Sequence, residues 1–227
     1  ADLADRGELP LHVASEFIDM HEEPANAVRT KKDSTLVVSA ELVRDGKASA
    51  MISAGNTGAT MASALLRMGR IKGVKRPAIA TPIPVPGSTP TVMLDAGANA
   101  EVEAEWLTQF ALMGSVYANA RFGIAQPKVG LLSIGEEPGK GDTLRKEAYE
   151  LLTSAPNINF IGNVEGRDIM TTEVDVVVTD GFGGTGYYGG KNANNETEKE
   201  MPHMRRILRK ASWREMPTWS ERSQATG

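Results

Sequence analysis

The chain has 227 residues, 41% hydrophobic and 24% charged, with a formal net charge of -4, a balance that suits a large α/β domain and argues against a nucleic-acid binder as a whole. It contains no cysteine, which excludes disulfides, thiolate metal sites and a cysteine nucleophile, and permits a reducing cytoplasm. No charged-then-apolar leader and no apolar run of bilayer length is present, so neither secretion nor a membrane span is expected, and the start at Ala1 suggests a fragment or a processed chain.

From Ser34 onward, helical and strand patterns alternate, the mark of βαβ units and a mostly parallel sheet with helices on both faces. "STLVVSAELVRDGKA" predicts a helix with Leu36, Val37, Ala40 and Val43 on one face and a stop at Gly46. "ASAMISAG" reads as a buried strand, "TGATMASALLRMGR" as a helix of small residues, and "RPAIATPIPVPG" as an extended piece punctuated by proline. "PTVMLDAGAN" is strand then loop. "EVEAEWLTQFALMGSVYANA" places Trp106, Phe110, Met113 and Tyr117 at helical spacing, with glutamates in the first turn as the helix dipole favours. "PKVGLLSIGEE" predicts a buried strand, "DTLRKEAYELL" an amphipathic helix, and "INFIGNVEGRD" and "VDVVVTDGF" two more strands with polar ends. After Phe182, "GGTGYYGGKNANNETEKE" lacks an apolar period and reads as flexible. The expected division is a core over residues 1–182 and a divergent tail over 183–227 with a short basic segment containing Arg205, Arg206, Arg209, Lys210 and Trp213. That tail is either disordered or able to rest on an anionic membrane surface.

Ligands of parallel α/β sheets bind outside the carboxyl ends of the strands. The clusters of glycine with asparagine or acid fall at such ends: Gly55-Asn56-Thr57-Gly58, Asp95 to Asn99, Gly135-Glu136-Glu137, Gly162 to Asp168 and Asp180-Gly181-Phe182. "AGNTGA" matches neither a P-loop nor a dinucleotide fingerprint. It is either a tight βα connection or a site for one phosphate, held by backbone N–H groups of Asn56 to Ala59, the Asn56 amide, the Thr57 hydroxyl and a cation from among Lys31, Lys32, Lys140 and Arg167. Asp95, Glu136, Glu137, Glu165, Asp168 and Asp180 carry oxygen ligands for magnesium, but their spacing fits no dedicated loop. The alternative has Asp95, Asp175 and Asp180 capping turns and Glu136 and Glu137 pairing with Lys140 or Arg145, and no metal is expected. His12 and His21 read as surface residues, and no Gly-x-Ser-x-Gly elbow occurs.

"KKDS", "SAGNTGA", "RPAIAT", "MLDAGAN", "QFALMGSVYA", "VGLLSIGEE", "INFIGNVEGRDI" and "VDVVVTDGF", in that order from about Leu11 to Phe182, closely resemble the phosphate acyltransferases of bacterial phospholipid synthesis, the PlsX family. The resemblance implies an isocitrate- or isopropylmalate-dehydrogenase-like α/β fold, here incomplete at both ends. It also implies conversion of acyl-[acyl carrier protein] and inorganic phosphate to acyl phosphate without a cofactor, in a cytoplasmic homodimer peripheral to the membrane. Phosphate is already an anion at neutral pH and attacks a thioester without a strong base, which fits the lack of a catalytic Cys or His. On this reading Asn56, Thr57 and Gly58 hold phosphate, while Lys140 and Asn163 supply charge and oxyanion stabilisation. Asp95, Asn99, Glu137, Glu165 and Asp180 shape the pocket, and Arg67, Arg70, Lys72, Lys75 and Arg76 are either a docking patch for the acidic carrier or an ordinary solvated loop. Two further readings stand beside it: a non-catalytic remnant of this fold that binds a partner, and a phosphotransacetylase-like enzyme using acyl-coenzyme A. The chain lacks the opening strand and the helical remainder that the family shows.

Overall fold

The computed structural model describes Arg6 and residues 10–189. Residues 1–184 make one compact unit; of the second, residues 185–227, only 185–189 are described. The basic segment from Arg205 to Trp213 lies outside the described residues.

Five strands, β1 (Thr81–Ile83), β2 (Thr91–Leu94), β3 (Lys128–Leu132), β4 (Asn159–Val164) and β5 (Val176–Val178), form one sheet in the order β1-β2-β5-β3-β4. β1 pairs antiparallel to β2, and the other pairs are parallel, so β2, β5, β3 and β4 end on one edge. Every residue of β2 and β5 is buried, as expected of parallel strands covered on both faces. Pro82 stands in the edge strand β1, where a missing N–H is tolerated.

The 19-residue helix between β2 and β3 (Ala104–Phe122) and the helix between β3 and β4 (Thr143–Ser154) lie against Val92, Leu94, Val129, Leu131, Val176 and Val178. Of the expected stripe, only Phe110 is fully buried; Trp106, Met113 and Tyr117 are half-buried. The centre of the contact is instead Leu107, Phe110, Ala111, Gly114 and Ala118. Small residues let this helix press closely on the sheet: a Cβ on Gly114 would stand 2.5 Å from Val176 Cγ1 and 3.1 Å from Leu94 Cδ1. Gly114→Ala is therefore expected to cost about 1–3 kcal/mol by overpacking, read as a lower urea midpoint.

A second apolar cluster joins α1 (Pro24–Thr30), α2 (Thr35–Arg44) and α3 (Thr57–Ser63) through Ile18, Ala27, Val28, Leu36, Val37 and Ala59. α3 runs on into a π-helical turn, Ala64–Met68. The long helix and its successor are accordingly α4 and α5, and α6 is Gly181–Gly189. α6 corrects the reading of the stretch after Phe182, whose first residues are helical. Residues 48–55 also depart from expectation: they form no strand, and Ile52 is 97% exposed. Strand structure requires a neighbour to take its backbone hydrogen bonds, and among the described residues none pairs with this segment.

Candidate active site

The shared carboxyl edge of β2, β5, β3 and β4 carries a connected set of polar side chains. Asp95, which follows β2, is fully buried. Its Oδ1 accepts the N–H groups of Ile79 and Ala98 at 2.9 and 3.0 Å, and its Oδ2 accepts the backbone and side-chain N–H groups of Asn99 at 2.7 and 2.8 Å. The Asn99 amide also donates to Pro77 O at 2.8 Å, and its carbonyl accepts the Gly181 N–H at 2.7 Å. Asp95 and Asn99 thus join three segments: 77–79, the loop after β2, and the start of α6.

Asp180, after β5, is buried; its Oδ1 accepts the Gly183 N–H at 2.6 Å and its Oδ2 accepts a hydrogen bond from Arg145. Arg145 also donates to Asp142 at 2.8 Å, tying the end of β5 to the start of α5. This corrects the pairing of Arg145 with Glu136 or Glu137. Glu136 instead meets Arg167 at 2.9 Å, and that hydrogen bond is the largest cause of the raised Arg167 pKa. Arg167 lies 3.5 Å from Glu165 and 3.8 Å from Asp168 as well, so these acids are paired with a cation. Among the described residues no group of three His, Asp or Glu side chains could hold a metal ion.

Three buried polar atoms at the ends of the adjacent strands β5, β3 and β4 have no protein partner: Thr179 Oγ1, Ser133 Oγ and Asn163 Oδ1. Buried polar groups are rarely left this way, and three on one sheet edge suit a place where a polar ligand or water completes them. Nothing in local sequence pattern marks Ser133, Thr179 or Arg145; their roles come from strand register and from the loops that close over them. Asn163 Nδ2 donates to Glu137 O at 3.0 Å, which holds the loop carrying Lys140. The unpartnered pole of Asn163 is an acceptor, which departs from the expected oxyanion role, since an oxyanion needs a donor. Lys140 is about half exposed and stands 4.0 Å from the Glu137 carboxylate, a loose pair in solvent that leaves its charge available.

The "AGNTGA" turn lies apart from that set. Asn56 caps α3: its Oδ1 accepts the Ala59 N–H at 3.0 Å, while Nδ2 donates to the carbonyls of Asp19, Met20 and Glu22 at 3.2 to 3.3 Å. That amide is committed to the protein, contrary to the expectation that it contacts phosphate. Gly58 is needed for packing, because a Cβ there would stand 2.7 Å from Pro24 Cγ. Thr57 is exposed at the helix start. Asn56→Ala is expected to cost about 1–2 kcal/mol through the lost cap and the freed carbonyls, measurable by urea unfolding. Of the other candidate cations, Lys31 is engaged by Glu22 at 2.7 Å, and this hydrogen bond is the main cause of the lowered Glu22 pKa.

In the basic segment, Arg67 turns inward to Val28 O at 3.3 Å and lies 3.7 Å from Glu41. Lys75 meets Glu105 at 2.5 Å, which raises the lysine pKa and lowers the glutamate pKa. Arg76 stacks over the Trp106 ring at 4.9 Å, Arg70 donates to Lys75 O at 2.7 Å, and Lys72 is exposed.

Two solved phosphotransacetylases share the fold: one from Streptococcus pyogenes, with a TM-score of 0.56, 18% identity and coverage of 82% of this chain and 68% of that one, and EutD from Staphylococcus aureus, with a TM-score of 0.52, 19% identity and coverage of 83% and 69%. Sequence relatives are much nearer. A phosphate acyltransferase of Elusimicrobium minutum is 55% identical over 182 residues, 80% of this chain and 53% of that protein. One of Dictyoglomus thermophilum is 50% identical over 180 residues, 79% of this chain and 54% of that protein. The chain spans about half the length of these curated relatives. The family model described as fatty acid synthesis protein matches residues 5–211, past the Phe182 at which the quoted motifs end. On that match and those identities, the chain belongs to the fatty acid synthesis protein family, the PlsX family to which its ordered motifs point.

Proposed function

We propose that this chain carries the reaction centre of a phosphate acyltransferase: an oxygen of inorganic phosphate attacks the thioester carbonyl of acyl-[acyl carrier protein], the C–S bond breaks, and acyl phosphate and the free carrier thiol leave. The observation that carries this reading is the polar strand edge, with unpartnered Ser133, Asn163 and Thr179 beside the available charge of Lys140, in a chain half identical to named phosphate acyltransferases. Lys140 is assigned to the phosphate and the developing oxyanion, with the exposed Thr57 hydroxyl and the backbone at Gly58 on the opposite side of the reacting atoms. Asn56 acts by positioning that turn. Asp95, Asn99, Glu137, Glu165 and Asp180 frame the rim, and the Ser133 and Thr179 hydroxyls add donors that a phosphate oxygen can accept.

Arg70, Lys72 and Arg76 form the basic surface offered to an acidic carrier, since Arg67 and Lys75 are already engaged. The working form is proposed to be a cytoplasmic homodimer that touches the membrane peripherally. Among the described residues no helix is long and apolar enough to cross a bilayer.

The test is phosphate-dependent release of free carrier from palmitoyl-[acyl carrier protein]. Lys140→Ala is expected to lower turnover about 100-fold with an unchanged unfolding midpoint, because the side chain is half exposed. Equal turnover by the two proteins would remove Lys140 from the reaction. Release only from acyl-coenzyme A would point to the phosphotransacetylase-like reading, and carrier binding without turnover to the non-catalytic one.

A further inference from the structure

A cavity of about 540 Å³ lies beside the "AGNTGA" turn, within the range of about 300–1,000 Å³ usual for small-molecule sites. Its body is apolar, lined among others by Met51, Met61, Leu65, Met68, Ile71 and Met113. Ser53, Gly55 and Thr57 line it as well, and they come from the turn assigned to the reacting atoms; Arg70 of the basic segment is also part of the wall. Ile79 borders it too, and its N–H is one of the four that Asp95 holds.

We infer that this groove binds the fatty acyl chain of the thioester, and the inference rests on the function proposed above. Three features of the wall favour a long, flexible, saturated chain over a compact ligand. Its polar groups come from the Ser53-to-Thr57 turn, the Arg70 side chain and little else, so a ligand finds hydrogen bonds for a head group and only apolar contact for the rest. Four of its residues are methionines, whose unbranched thioethers adapt to a chain that has many conformations. The π-helical turn Ala64–Met68 forms part of the wall through Ala64, Leu65 and Met68, and such turns recur at functional sites because they widen a helix locally. Charge agrees with this occupant: Arg70 lines the groove, and Lys72 and Arg76 follow it in the same segment, where the acidic carrier that presents the chain would sit.

The groove also accounts for apolar side chains that the core does not use. Ile71 is 75% exposed and Met68 37%, and both line the cavity. A bound alkyl chain would cover them, and each buried methylene would raise affinity about fourfold until the groove is full.

The experiment uses the 227-residue chain with hexadecanoic acid bearing a mid-chain diazirine as the probe, adducts being located by peptide mass spectrometry. Adducts are expected on peptides holding Met51, Met61 to Ile71 and Met113, competed by hexadecanoic acid and far less by octanoic acid at equal concentration. Ala64→Trp, which places an indole into the groove, is expected to lower labelling tenfold or more, the equivalent of roughly two buried methylenes, while Leu112→Trp on the outer face of α4 leaves it unchanged. Should Ala64→Trp fail to fold, the adduct map of the unmodified chain decides alone. Adducts confined to other surfaces, or none, overturn the inference. Failure of the proposed reaction is read separately: adducts in the groove without turnover leave the chain site standing, and turnover with adducts elsewhere leaves the reaction standing without it.

Discussion

Asp95→Ala is expected to lower unfolding free energy by about 3–5 kcal/mol, read from the urea midpoint at constant slope. Four N–H donors, from Ile79, Ala98 and twice from Asn99, converge on a carboxylate with no exposure to solvent. Each buried donor left without an acceptor costs about 1–3 kcal/mol, and water entering the new space recovers part of the sum. Asp95→Asn tests the charge apart from the volume: one of its poles becomes a donor pointed at donors, so it should recover only a minority of the loss. Because Asn99 O also holds the Gly181 N–H, the change should loosen the start of α6, seen as faster amide exchange at Gly181 and Gly183. A loss below 1 kcal/mol for the alanine variant would mean that the loop is held by its backbone alone.

The Arg145–Asp180 pair should give the second large effect. Arg145→Met removes the cation beside a buried carboxylate, and a buried charge deprived of its partner typically costs about 3–5 kcal/mol. The partner carboxylate of Asp142 is exposed and loses little. If the penalty comes from the stranded Asp180, the double variant Arg145→Met, Asp180→Asn should be more stable than Arg145→Met alone, and the cycle should return a coupling above about 1 kcal/mol. Additive losses would instead assign the effect to the aliphatic part of Arg145 packing over Ser133 and Gly141. Either variant also separates β5 from α5 at the rim, so turnover should fall further than the Lys140→Ala comparison predicts from charge alone.

Most of the elements were legible in the chain. Val, Leu and Ile runs gave β2 to β5, the period of "STLVVSAELVRDGKA" gave α2, and the Asp142 cap with the apolar face behind it gave α5. The exceptions have a common cause. "ASAMISAG" has the composition of a buried strand, yet residues 48–55 are open because pairing, and not composition, makes a strand. The stripe on α4 was displaced toward Ala111, Gly114 and Ala118 because closeness to the sheet is set by the smallest residues, which carry little weight in a hydrophobic pattern.

The site divides in the same way. By itself the sequence determined that the acids, asparagines and glycines fall at strand ends, since hydrophobic runs must be sheltered and the polar residues follow where each run stops. It also determined the family, through the ordered motifs. Tertiary structure alone decided what each polar residue does. It committed Asn56 and Asp95 to the backbone, passed Asp180 to Arg145, left Ser133, Asn163 and Thr179 without partners, and opened an apolar groove beside Thr57. Hydrogen-bond satisfaction depends on groups brought together from distant segments, as Asn56 with Asp19 and Asp95 with Ile79 illustrate, and no local pattern carries that information.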